Sequence, residues 1–137
     1  MKIMIINGPN LNLLGKREPD IYGSDTFDAF FLRLQEKFPE VTLSYYQSNI
    51  EGELIDKLHA VGFDHDGIIL NAAAYTHTSL GIGDAVKGIE TPVVEVHISN
   101  VHAREEFRHR SYIAPNAKGV LFGFGLKGYD LAIQSFL

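Results

Sequence analysis

The stretch "GIILN" (67–71) runs through three bulky apolar residues without a polar break and ends on an asparagine. A strand with one face in water alternates apolar and polar residues, whereas a strand covered on both faces does not. "GIILN" therefore reads as a strand buried on both sides. "KIMIIN" (2–7) and much of "PVVEVHIS" (92–99) read the same way, and "VTLSYYQ" (41–47) and "KGVLFGF" (118–124) complete a set of five. Helical patterns separate them. "TFDAFFLRLQEKF" (26–38) spaces Phe27, Phe30, Phe31, Leu34 and Phe38 on one face, and "EGELIDKLHAV" (51–61) does so with Leu54, Ile55, Leu58 and Val61. A third helix is predicted from near Thr78 to about Lys87, against the cost of Gly81 and Gly83, each about 1 kcal/mol relative to alanine. "YDLAIQSFL" (129–137) is the last.

This alternation predicts an α/β fold: a doubly wound, five-stranded parallel sheet in three α/β/α layers, with the flavodoxin-like strand order 2-1-3-4-5. The 137 residues suit a single catalytic-size domain, 1–137, and with 45% hydrophobic residues a sizeable core is available. No apolar run reaches the length of a membrane span. "MKIMIING" is too short for a signal peptide and reads as the first strand. The chain has no cysteine, which removes thiol and disulfide chemistry and fits a cytoplasmic location. A formal charge of −5 without a basic stripe argues against nucleic acid as a partner.

In such a sheet, ligands sit beyond the carboxyl ends of the strands, near the switch in strand order. The polar residues collect there. Strand one ends in "NGPNLN", strand three in Asn71 followed by "AAAYTHTS", and strand four in "EVHISN". Several of these residues have two readings. "NGPN" (7–10) is a turn or a ligand loop. Asn71 caps the next segment or binds a ligand, and His77 is a surface histidine or a ligand. Thr78 or Ser79 is a helix N-cap rather than a nucleophile, since no G-x-S-x-G elbow is present. Glu95 and His97, two apart on one strand, share a face. They form a buried structural pair, or a carboxylate that orients a general acid. Past the strand end, the Ile98 and Ser99 backbone amides suit an anion. Arg104, Arg108 and Arg110 form a solvated turn or supply a clamp for a carboxylate. Phosphate loops and metal-ligand spacings are absent; "GFGLKG" (123–128) follows the last strand and reads as packing glycines and a helix start. The set suits a small, polyhydroxylated anion.

"INGPNLNLLGKREPDIYG" (6–23), "QSNIEGELIDKLH" (47–59), "LNAAAYTHTSLGIGDA" (70–85) and "VEVHISNVHAREEFRHRSYIAP" (94–115) closely resemble the type II 3-dehydroquinate dehydratase family. The resemblance implies a flavodoxin-like enzyme without cofactor or metal that assembles as a homododecamer, a tetramer of trimers. It implies anti elimination of water from 3-dehydroquinate to 3-dehydroshikimate through an enolate, in the shikimate pathway or in quinate breakdown. By motif, Tyr22 is the proton acceptor and Arg17 its electrostatic partner in a lid. His97 is the proton donor, oriented by Glu95. Asn71, His77, Ile98, Ser99 and Arg108 correspond to substrate ligands. Asp84 corresponds to a residue contributed from a neighbouring subunit. Asn10 and Asn12 correspond to residues flanking the enolate and its ordered water, Asn12 with the catalytic set and Asn10 with the ligands.

The chemistry implied is physically consistent. A tyrosine acting as a base near neutral pH must have its pKa lowered from about 10 by about two to three units, roughly 3–4 kcal/mol. One cation about 4 Å away at an effective dielectric of about 20 supplies about 4 kcal/mol. Arginine suits this better than lysine, which loses its own proton; Lys16 is read as solvated. A Schiff-base route needs a desolvated lysine in the pocket, and no lysine lies at the three strand ends. The competing class is a flavodoxin-like binding module. A flavin phosphate loop is rich in Ser and Thr, and "GPNLNLLGKREP" (8–19) has neither.

Overall fold

The computed structural model describes residues 1–16, 20 and 25–137. Five parallel strands, β1 (Lys2–Asn7), β2 (Thr42–Gln47), β3 (Gly67–Asn71), β4 (Val93–His97) and β5 (Gly119–Phe122), lie in the order β2-β1-β3-β4-β5. Among the described residues, four α-helices connect or follow them: α1 (Phe27–Lys37), α2 (Glu51–Val61), α3 (Leu80–Gly88) and α4 (Lys127–Gln134). This is the doubly wound α/β architecture expected from the alternation.

The helix starts follow local chemistry. Thr26 Oγ1 accepts from the Ala29 N–H at 3.2 Å and Asp28 lies in the first turn of α1, where the orphan N–H groups and the dipole favour it. Ser79, not Thr78, caps α3: its Oγ accepts from the Ile82 N–H at 2.9 Å. Residues 73–77 form a 3-10 helix ahead of it. The glycines of α3 do not break it. A Cβ on Gly83 would lie 2.3 Å from the Tyr112 carbonyl oxygen, so glycine is what lets the 99–117 segment pack against this helix. That segment, irregular by sequence, contains three 3-10 turns.

Alternation within the strands separates two cores. Ile3, Ile5, Ile69, Val94 and Val96 pack with Phe27, Leu34, Tyr129 and Ile133 of α1 and α4. Met4, Ile6, Ile68, Leu70 and Val93 pack with Leu54, Leu58, Ile82 and Val86 of α2 and α3. Burying each such large apolar side chain contributes about 1.5–3 kcal/mol. The same parity sorts the polar ends. Asn7 and Asn71 continue the odd-numbered row toward α1 and α4, while Glu95 and His97 continue Val93 toward the other face. The site is therefore assembled at the rim from both sides of the sheet.

Candidate active site

A cavity of about 110 Å³ opens beyond the carboxyl ends of β1, β3 and β4. Pro9, Asn10, Leu11 and Leu14 form one wall; Asn71, Ala73 and His77 form the floor; His97, Ile98, Ser99, Arg104 and Arg108 form the far side. A space of this size suits a compact molecule rather than a dinucleotide. None of the seven lysines lines it. Among the described residues, no three His, Asp or Glu side chains gather as a metal site.

Two tight local conformations shape the walls. Gly8 follows β1 so closely against β3 that a Cβ there would meet the Ala72 carbonyl oxygen at 2.6 Å. Asn10 (φ 70°) and Ala73 (φ 53°) are both left-handed, which asparagine tolerates and alanine does so only under strain. Ala73 is held in place by the Asn71 side chain, whose Oδ1 accepts from the Ala73 N–H at 3.1 Å.

His97 and Glu95 are both buried, and the His97 Nε2 lies 2.5 Å from the Glu95 Oε2. A carboxylate only accepts, so Nε2 carries the proton. Ser111 completes the pair. Its Oγ accepts from the Ile113 and Ala114 N–H groups at 3.1 and 2.9 Å, which directs its own proton onto Glu95 at 2.8 Å. A second cavity, about 290 Å³, lies behind this pair and is lined by Thr76, His102, His109 and Ser111 among others.

The His77 ring stacks at 6.1 Å from that of His97. Its Nδ1 lies 2.7 Å from the Arg110 carbonyl oxygen, so Nδ1 is the donor and the neutral ring keeps its lone pair on Nε2. Burial, aided by His97 and Arg108, holds the His77 pKa below the ordinary histidine value. The consequence for stability has a definite sign. Above about pH 6.5 both folded and unfolded forms are neutral; as pH falls below that, the unfolded chain takes the proton first and stability is lost toward the folded pKa. The urea midpoint is expected to drop between pH 7.5 and 5.5 by less in His77→Gln than in the parent chain; equal drops would exclude His77 as a source.

The whole chain, residues 1–137, matches the family model described as Dehydroquinase class II. The chain belongs to the class II dehydroquinase family. It is 56% identical over 138 residues to a protein of Exiguobacterium sp. named 3-dehydroquinate dehydratase, covering 100% of this chain and 94% of that one. A Bacillus licheniformis protein of the same name is 55% identical over 138 residues, covering 98% of this chain and 94% of its own length. The crystal structure of type II dehydroquinase from Butyrivibrio crossotus superposes with a TM-score of 0.95 at 46% identity, covering 99% of this chain and 97% of that one.

The residues expected for a class II dehydroquinase fall into three groups. Asn10, Asn71, His77, His97, Ile98, Ser99 and Arg108 line the cavity together, and Glu95 sits behind His97. Arg17 and Tyr22 lie outside the described residues. Asn12 and Asp84 do not line the cavity: Asn12 is exposed on a 3-10 turn, its Oδ1 accepting from the Gln47 Nε2 at 3.4 Å, and Asp84 is exposed on α3. Asn71 lines the cavity, and its Oδ1 accepts from the Ala73 N–H. Arg110 is occupied with the Tyr112 hydroxyl at 3.1 Å and lends only its backbone carbonyl to His77.

Arg104, one of the three arginines read as a possible clamp, lines the cavity beside Arg108. Two further residues of this dehydroquinase site went unassigned by sequence. Ser111 orients Glu95; a serine two residues before an Ile-Ala-Pro turn was its only signal. Tyr129, on α4, hydrogen-bonds under the floor to both Asn7 and Asn71, and nothing local distinguishes it from an ordinary core tyrosine.

Proposed function

We propose that this chain eliminates water from 3-dehydroquinate to give 3-dehydroshikimate. One arrangement carries the reading: a buried imidazole, held by a buried carboxylate, borders a compact cavity whose other polar walls are amides, a neutral histidine and arginines. An acid so placed can protonate a leaving hydroxyl. Tyr22 removes the proton α to the ketone. The C–H electron pair forms the enolate double bond and the carbonyl pair moves to oxygen. The enolate then collapses, the C–O bond breaks, and the hydroxide leaves as water with a proton from Nδ1 of His97, whose Nε2–H stays hydrogen-bonded to Glu95.

Asn10, rather than the exposed Asn12, is our assignment for the amide beside the enolate oxygen, because it borders the cavity. Arg108 and the Ile98 and Ser99 backbone suit the substrate carboxylate and hydroxyls. His77, with Nδ1–H committed to a carbonyl, offers Nε2 to a substrate hydroxyl. Gly15 (φ 86°) and the cavity-lining Leu14 immediately precede, in sequence, the stretch that carries Arg17 and Tyr22. Asp84, exposed on α3, is available to a second subunit in the proposed homododecamer, and light scattering that found an active monomer would remove it from the site.

Mixing the purified chain with 3-dehydroquinate at neutral pH is expected to produce the ultraviolet absorbance of a conjugated enone carboxylate. Folded protein that gives no such absorbance would overturn the proposal.

A further inference from the structure

The cavity floor rests on a hydrogen-bond chain that starts on the last helix. Asn7 and Asn71 are register partners at the ends of β1 and β3, so their side chains leave the same face of the sheet. On that face lies Tyr129, fully buried in α4. Its hydroxyl donates to Asn7 Oδ1 at 2.8 Å and accepts from Asn71 Nδ2 at 2.9 Å. A phenol has one proton, and the amide oxygen of Asn7 can only accept it. The second bond is thereby forced: Asn71 must turn its NH₂ to Tyr129, which leaves Oδ1 for the Ala73 N–H. The Asn71 amide consequently has a single orientation, with one N–H still uncommitted beside the cavity.

The ring that bears this hydroxyl is itself fixed. Phe27 and Phe30 meet it edge-on, with centroids at 5.0 and 6.0 Å. Burial pushes the Tyr129 phenol well above its ordinary pKa, so its proton stays in place across the working range. We infer that Tyr129 is a positioning residue: by handing its only proton to Asn7 it sets the rotamer of Asn71, and through Asn71 it sets the left-handed Ala73 and the N–H offered to substrate. This inference rests on the dehydratase reading for its kinetic consequence, and on geometry alone for the orientation of Asn71.

Tyr129→Phe keeps the packed ring and removes the hydroxyl. An interaction made equally in the ground and transition states shows in KM rather than kcat. Loss of one neutral hydrogen bond is expected to raise KM about tenfold with kcat changed less than about twofold. Acting through Asn71, the effect is expected to vanish in an Asn71→Ala background. An unchanged KM, a fall confined to kcat, or additive effects in the double variant would each overturn the inference. Hydrogen exchange read by mass spectrometry tests the orientation without activity. In Tyr129→Phe, exchange is expected to speed up in the peptide covering 71–77 and to stay slow in the peptide covering α4. No change at 71–77, or faster exchange in α4 as well, would overturn it. Parent protein that shows no turnover would refute the dehydratase reading, while the exchange result would still decide the orientation of Asn71.

Discussion

Phenylalanine at position 22 is expected to lower kcat about 10²–10⁴-fold, the usual range for a lost general base, with KM and thermal stability near those of the parent. The effect is large because, among the described cavity-lining residues, the other side chain with a lone pair to offer as a base is His77, and its Nε2 is assigned here to a substrate hydroxyl. His77 is committed through Nδ1 and faces His97, and the remaining polar side chains there are neutral amides, a hydroxyl and arginines. Arg17→Ala is expected to lower kcat comparably, because the tyrosine then keeps its ordinary pKa of about 10 and is mostly protonated at neutral pH. The two changes differ in pH dependence. Raising the pH is expected to recover part of the activity of Arg17→Ala, where the base survives, and none in Tyr22→Phe. Stopped-flow or steady-state rates from pH 6 to 10 measure this. A Tyr22→Phe enzyme with near-parental kcat would remove Tyr22 as the base.

Asparagine at position 97 is expected to lower kcat about 10²–10⁴-fold by removing the acid that protonates the leaving hydroxyl. Asparagine rather than alanine is the informative choice. Alanine would strand the buried Glu95 carboxylate, a change that costs about 3–5 kcal/mol when one partner of a buried pair is removed. Asparagine retains a donor for Glu95, and Ser111 still supplies a second at 2.8 Å. The variant should therefore remain folded, and calorimetry beside the kinetics separates the two readings of the pair. A structural pair predicts a lower Tm with kcat preserved in the folded fraction; an acid predicts the reverse. Glu95→Gln should fall between, since it keeps a hydrogen-bond partner for the ring and removes the negative charge beside it.

The strands were legible because every one is bounded by its own composition, and their order is the flavodoxin-like default for a five-stranded doubly wound sheet. β1 and β3 are continuous apolar runs that end in asparagine, β2 and β4 follow stretches of helical period, and β5 follows the irregular 99–117 segment. The rim was legible for the same reason. In a parallel sheet all carboxyl ends lie on one side, so "NGPN", "NAAAYTH" and "EVHISN" had to meet. Element ends were less so. β4 stops at His97, and α3 begins at Leu80, where the Ser79 hydroxyl accepts from the Ile82 N–H after the 3-10 turn at 73–77. Gly83 looked like a helix breaker because its reason, the Tyr112 carbonyl 2.3 Å from where a Cβ would sit, lies 29 positions away in the chain.

By itself, then, the sequence determined the layers, the edge at which polar groups gather, and that Glu95 and His97 share a face. Periodicity and strand parity are local properties, and they propagate to the fold through the geometry of a parallel sheet. Only the tertiary structure decided that Asn10 rather than Asn12 borders the cavity, that Arg104 joins Arg108, and that Ser111 and Tyr129 hold the two key side chains from behind. Those are orientations of single hydroxyls and amides. They depend on which distant donors and acceptors are already committed, and no spacing along the chain records that.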